Sequence, residues 1–337
     1  MTKRGKVYNR IFTQEKWNQV NPDNKNIMSD FLEEYTQRQK KKSTLQQYKN
    51  DLRIIFIYIL EKCDNHCIFD LKRKDFRRLN IYLSEEKGMS NARVNRLMSA
   101  TRSLLTYCEE DEDSEYDNNL CRRVHGLPKQ PVRIDEDDFF FTFEQFIKVR
   151  DILMEKHEYK LACLHSILFD SAGRRNEVFQ IKKDGLLDEG NNKTNIVTGK
   201  RGKTFCLIYL NDTKEIIRKY LEDRGEDDIE SLWIVGHGEG KRPATYDDLY
   251  NWVVKISKIF SEVEGKEIQI FPHSYRHSKC ECLLQGNDKR LKDKDGNIRK
   301  YTLEQVQVYL HHSDPSTTLS YAKDHSEDVI DDMFGIE

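Results

Sequence analysis

The chain has 337 residues, with 56 Lys and Arg against 58 Asp and Glu, a formal net charge of −2, and 34% charged and 37% hydrophobic residues. This globular composition is long enough for two domains, each with a core of its own. No run reaches the roughly 18 apolar residues that a membrane helix needs, and Met1 to Lys6 lead into no apolar signal core, so a soluble, cytoplasmic protein is expected.

The eight cysteines, at 63, 67, 108, 121, 163, 206, 280 and 282, lie mostly inside apolar stretches, as reduced thiols do; no disulfide is expected. Cys63-Asp-Asn-His66-Cys67 offers three soft ligands but no second pair at a zinc-binding spacing, and buried thiols are the better reading.

In chain order, residues 1–25 read as an N-terminal extension and 26–110 as a helical domain. Helices are expected over Ile27–Gln39, from the Ser43-Thr44 cap onward, over Phe76–Leu83 and from Ser90. Leu45, Tyr48, Leu52, Ile55, Phe56 and Ile59 form one apolar face, and Val94, Leu97, Thr101, Leu104, Leu105 and Cys108 another. The remaining positions of the Ser90 helix carry Asn91, Arg93, Asn95, Arg96 and Arg102. Residues 35–102 hold sixteen Lys and Arg against seven Asp and Glu, a local excess of nine positive charges inside a nearly neutral chain. Solvated surface is the ordinary explanation of such charges. Their density points instead to phosphate contact, with Lys40, Lys41, Lys42, Arg93, Arg96 and Arg102 as the candidates.

The acidic runs Glu109–Asp113 and Asp135–Asp138, with Pro128 and Pro131 between them, mark residues 111–141 as a linker. Residues 142–324 then form a mixed domain. Helices are expected at Glu144–Lys156, Tyr159–Asp170, Asp212–Glu222, Tyr246–Phe260, Ser274–Leu284 and Thr302–Leu310, the last opened by a Thr302-x-x-Gln305 capping box. Asn195–Thr198 and Thr204–Leu210 flank Gly199-Lys-Arg-Gly202-Lys203, a β-hairpin pattern. The expected fold is therefore mainly α with a small antiparallel β-sheet. No internal repeat is present.

Four segments of the second domain carry chemistry, and each alone is common. They are Ser171-Ala-Gly-Arg174-Arg-Asn-Glu177, Lys200 in the hairpin turn, Phe271-Pro-His273-Ser-Tyr-Arg276-His277, and Leu310-His311-His312 followed nine residues later by Tyr321. In this order and at these separations they resemble the tyrosine recombinase (phage integrase) family, whose pattern is Arg, Lys, His-x-x-Arg, His or Trp, and Tyr. The resemblance runs across nearly the whole chain. It implies a SAM-like helical core-binding domain, here with the Thr44, Tyr48 and Leu52 pattern, followed by an α+β catalytic domain.

The resemblance implies a metal- and ATP-independent, site-specific DNA recombinase. Arg174 and Arg276 would clamp the scissile phosphate with His312, and Tyr321 would attack it. Lys200 would protonate the leaving 5′-oxygen, and His273 would accept the phenol proton or bind the phosphate. Glu177 and His277 would support these groups from behind. Guanidinium forks suit a phosphorus whose non-bridging oxygens gain negative charge, without a metal. No cofactor and no metal ligand are expected. The implied partners are double-stranded DNA and further copies of the chain, as a tetramer on DNA, with a possible directionality factor; the implied location is the nucleoid. A topoisomerase or telomere resolvase would use the same chemistry, and a non-cleaving DNA-binding accessory protein would retain the fold alone.

Three features depart from the family pattern. His311 stands where Gly is common, Tyr275 stands where Leu is usual, and Gly286–Lys300 is a polar insertion expected as a surface hairpin or loop. Within the tail, 325–337, Val329, Ile330, Met333 and Phe334 recur at helical spacing, which suits docking in cis or in trans.

Overall fold

The computed structural model describes residues 11–111, 116–128 and 139–311. His312, Tyr321 and the 325–337 tail lie outside the described residues. The chain forms two compact units, residues 1–131 and 132–337. Among the described residues no helix is long and apolar enough to cross a membrane.

The first unit is helical: α1 (Gln14–Gln19), α2 (Pro22–Gln37), α3 (Lys42–Lys62), α4 (Arg73–Ile81), one wide π turn (Tyr82–Glu86) and α5 (Asn91–Glu110). Local chemistry sets the helix starts. The Asn21 side chain accepts from the Asp23 amide ahead of Pro22, and Ser90 accepts from the Arg93 amide. Helix α3 begins at Lys42, one turn ahead of its apolar stripe and without a side-chain cap, so Ser43 and Thr44 lie inside the helix. Leu52, Ile55, Phe56 and Ile59 of α3 meet Val94, Leu97, Leu104 and Leu105 of α5 in one core. Each such side chain contributes on the order of 1.5–3 kcal/mol by leaving water.

The unit extends past both expected edges. Ile11 and Val20 are buried in its core, so 11–25 is integral rather than an extension. Downstream, Cys121 and Val124 are buried in the same core, and Asn95 bonds the backbone at Leu127 in both directions. Acidic sequence marked this stretch as linker. Its apolar residues, spaced between the charges, fasten 116–128 to α5 instead.

In the second unit, α6 (Phe143–Glu155) and α7 (Tyr159–Ser171) precede a one-turn helix, α8 (Arg175–Phe179). The hairpin β1 (Lys193–Thr198) and β2 (Thr204–Ile208) pairs antiparallel, with Thr198 opposite Thr204. Next come α9 (Asn211–Arg224), the short antiparallel pair β3 (Ile234–Val235) and β4 (Arg242–Pro243), α10 (Tyr246–Glu264), α11 (Pro272–Gln285) and α12 (Leu303–Tyr309). Capping boxes at Thr142/Gln145, Thr245/Asp248 and Thr302/Gln305 open α6, α10 and α12. Helix α7 is buried on every side from Leu161 to Ser171, which makes it the central helix of the unit.

The 286–300 insertion forms a turn in which Asp293 accepts from the amides of Asp295 and Asn297. Its base is not the solvated loop expected from composition. Asp288 is 1% exposed and pairs with buried Lys279 at 2.6 Å. Opposite charges bury together what neither would bury alone.

Candidate active site

The first cluster is built on the turn after α7. Ala172 takes a left-handed conformation (φ 46°) that ends the helix, and the Ser171 hydroxyl accepts from the Gly173 amide. Gly173 is required by space: a Cβ there would sit 2.9 Å from both Ser171 Oγ and Val178 Cγ2. Arg174 then caps α8. Its backbone amide donates to Glu177 Oε2 (2.8 Å) and its Nη1 to Glu177 Oε1 (2.9 Å). Glu177 is 2% exposed, whereas the Arg174 side chain is 25% exposed, so a buried carboxylate orients a guanidinium that still reaches solvent.

The hairpin leans on this pair. A Cβ on Gly199 would stand 3.1 Å from Glu177 Oε1 and 2.8 Å from Phe205 Cε1. The Gly199 amide donates to the Lys203 carbonyl at 2.7 Å, closing the turn that carries exposed Lys200. Phe205 stacks on His311, with ring centroids 3.8 Å apart and planes 21° from parallel.

Arg276 lies on α11 and is 2% exposed. Its Nη1 donates to the Ala172 carbonyl (2.6 Å) and its Nη2 to the Leu310 carbonyl (2.5 Å). One guanidinium thus joins the turn that presents Arg174 to the end of α12. His311 follows there at φ 54°, a left-handed conformation that explains why glycine suits the position. Burial pulls the His311 pKa below the ordinary imidazole value; Glu177 opposes this, while the charges of Arg276, Lys203 and Arg174 add to it. Cations from three distant stretches of chain thus surround His311.

His273 is exposed in the first turn of α11. His277, one turn further on, meets Phe140 edge-on at 5.6 Å. Tyr275 is fully buried, and its hydroxyl lies 2.9 Å from His165 Nδ1. His165 Nε2 faces the Phe146 carbonyl at 2.9 Å, and a carbonyl only accepts. Nε2 therefore carries the proton and Tyr275 donates to Nδ1. The unusual Tyr at this position thus has a paired donor in the core beneath Arg276. Composition offered no sign of this partnership, because His165 sits within a mostly apolar stretch, Leu161 to Phe169.

Of the expected phosphate contacts in the first unit, Lys40, Lys41 and Lys42 are exposed ahead of and at the start of α3. Arg93 and Arg96 pair with buried Asp51 at 2.7 and 2.9 Å. Arg102 donates to the carbonyls of Cys121 and Val124. These three arginines have partners 19 to 45 residues away within the unit, while the Arg93 and Arg96 side chains stay 29% and 45% exposed. Among the described residues no group of three or more His, Cys, Asp or Glu side chains is placed to hold a metal ion.

No family model matches the chain. It is similar to the SPbeta prophage-derived recombinase-like protein YomM of Bacillus subtilis (strain 168), with 26% identity over 324 residues, 92% of this chain and 90% of that protein. It is similar in structure to the XerH site-specific recombinase bound to palindromic difH substrate in a post-cleavage complex (TM-score 0.62, 16% identity, 87% of this chain and 81% of that one). A lambda integrase (75–356) dimer bound to a COC′ core site gives a TM-score of 0.59 at 14% identity, over 87% of this chain and 96% of that one. The Tn1549 transposon integrase in complex with circular intermediate DNA gives 0.59 at 15% identity, over 88% and 94%.

Proposed function

We propose, from a fold similar to that of site-specific recombinases and integrases and from the motif resemblance, that the chain is a tyrosine recombinase that cuts and rejoins DNA at specific sites through a 3′-phosphotyrosyl intermediate on Tyr321. The observation that carries the reading is the double hydrogen bond of Arg276. By joining the carbonyls of Ala172 and Leu310, it ties the turn that precedes Arg174 to the end of α12, where His311 follows.

In this reading Arg174 and Arg276 hold the non-bridging oxygens of the scissile phosphate, and His312 adds a donor. The Tyr321 oxygen bonds to phosphorus as the bond from phosphorus to the 5′-oxygen breaks. His273 takes the phenol proton, and Lys200 supplies a proton to the leaving oxygen. A phenol with an ordinary pKa of about 10 is scarcely ionised at pH 7, and the surrounding cations favour the phenolate. The phosphotyrosyl bond retains the energy of the broken linkage, so a second 5′-hydroxyl can reverse the step without ATP. Strand exchange would need four protomers on two duplexes, with integration, excision or transposition of a mobile element as the outcome and a directionality factor as a further partner. Exposed Lys40, Lys41 and Lys42 are the phosphate contacts assigned to the first unit.

A nicked suicide duplex carrying the recombination site tests this. The wild-type chain should become covalently linked to the DNA in buffer with chelator and no nucleotide, and Tyr321→Phe should bind the duplex and form no adduct. An adduct of undiminished yield in Tyr321→Phe would contradict the assignment.

A further inference from the structure

The 286–300 insertion carries one side chain that reaches deep into the second unit. The Arg290 guanidinium donates to three carboxylates: Asp170 Oδ1 at 2.6 Å, Asp288 Oδ1 and Oδ2 at 2.9 and 3.0 Å, and Asp212 Oδ1 and Oδ2 at 3.2 and 3.0 Å. Its central carbon lies 5.1 Å from the Phe146 ring and 5.4 Å from that of Phe143. Lys279 on Asp288 and Arg150 on Asp212 bring the cations to three, matching the three carboxylates. Stability alone does not call for such a cluster, since well-packed apolar residues in place of a buried ion network are often as stable or more so. A network of this kind does fix geometry, because each fork permits one arrangement of its partners.

The partners are the ones that set the site. Asp170 is the penultimate residue of α7, and its other oxygen accepts from the Leu210 amide (3.0 Å) and the Thr213 hydroxyl (2.5 Å). Its backbone carbonyl accepts from the Tyr309 hydroxyl at the end of α12. Two residues beyond Asp170 is Ala172, and one beyond Tyr309 is Leu310; these are the two carbonyls that Arg276 holds. Asp170 and Arg276 therefore each tie the end of α7 to the end of α12.

We propose that Arg290 is a positioning residue for strand cleavage, fixing Asp170 and through it the turns that deliver Arg174 and His311. This rests on the recombinase reading for its activity but not for its geometry. Arg290→Lys keeps the charge and loses the fork. It should bind the nicked duplex within about threefold of wild type and form the covalent adduct about tenfold or more slowly. On a duplex with a neutral methylphosphonate at the scissile position, the slowing should shrink to less than about threefold, because arginine alignment matters less to an uncharged group.

Amide exchange at Gly173 and His311 should quicken in the variant. Lys289→Ala, which removes only an exposed ion pair to Glu144, should match wild type throughout. Wild-type adduct rates in Arg290→Lys, or equal slowing on both duplexes in step with lost folded protein, would overturn the proposal. If Arg290→Lys does not fold, Asp170→Asn, which keeps size and the Tyr309 bond, is judged by the same criteria. A wild-type chain that forms no adduct would remove the recombinase reading instead. Exchange at the two turns then decides the positioning claim, and unchanged protection in the variant would overturn it.

Discussion

Replacing Glu177 by Gln probes how Arg174 is held. The carboxylate takes two hydrogen bonds from one residue, from the Arg174 amide at 2.8 Å and from Nη1 at 2.9 Å, and it is 2% exposed. A carboxamide has one acceptor oxygen, so one of these donors must then face an N–H. Loss of a charge-assisted bond in such a place costs on the order of 1.5–3 kcal/mol, and the partial exposure of Arg174 lets water recover some of it, leaving about 2 kcal/mol. In a unit of this size that corresponds to a fall in Tm of roughly 4–8 °C. If the remaining oxygen stays on the backbone amide, helix α8 keeps its cap and the guanidinium is released. A clamp misplaced by about 1.4–2 kcal/mol slows cleavage by roughly ten- to thirtyfold. Single-turnover adduct formation on the suicide duplex reads this, with DNA affinity measured alongside. A double-mutant cycle with Arg174→Lys should show coupling, since both changes break the same fork. Wild-type cleavage in Glu177→Gln, or strictly additive effects in the cycle, would refute the reasoning.

Two further expectations follow from packing and burial. Gly199→Ala places a methyl 2.8 Å from Phe205 Cε1 and 3.1 Å from Glu177 Oε1. It should destabilise the second unit by about 1–3 kcal/mol in urea denaturation, as overpacking does, and wild-type stability would contradict the close approach. Burial pushes His165 down to about 3, against a hydrogen bond to the Phe146 carbonyl that works to raise it. Between that value and the unfolded value of about 6.5 the unfolded chain binds the extra proton, so stability should fall as pH drops through this window, by about 1.4 kcal/mol per pH unit. His165→Gln should flatten that part of the dependence, and an unchanged slope would refute the burial argument.

Much of the architecture was legible because periodicity and caps are local. The apolar stripes of α3 and α5, the Ser90 cap, the Thr302/Gln305 box and the Gly199–Lys203 hairpin all appear where pattern places them. What escaped the sequence was non-local pairing. Arg93, Arg96 and Arg102 look like a cationic face until Asp51 and the carbonyls of Cys121 and Val124 are brought to them. The 286–300 insertion looks like solvent-facing polarity until Asp288 meets Lys279, and Arg290 meets Asp170. Acidic residues around 109–117 likewise disguised a segment whose Cys121 and Val124 belong to the first core. Within the site, the order and spacing of Arg174, Lys200 and Arg276 carried the family resemblance, and the structure links Arg276 to the turn before Arg174. The Tyr275–His165 pair could be found only from the contact between α11 and α7.

The central claim is most directly tested by isolating the DNA-linked peptide after the wild-type chain reacts with a suicide duplex, and sequencing it by mass spectrometry. The account predicts a single peptide bearing a 3′-phosphate nucleotide on Tyr321. Attachment at any other residue, or release of a free cut strand with no linked peptide, would contradict it.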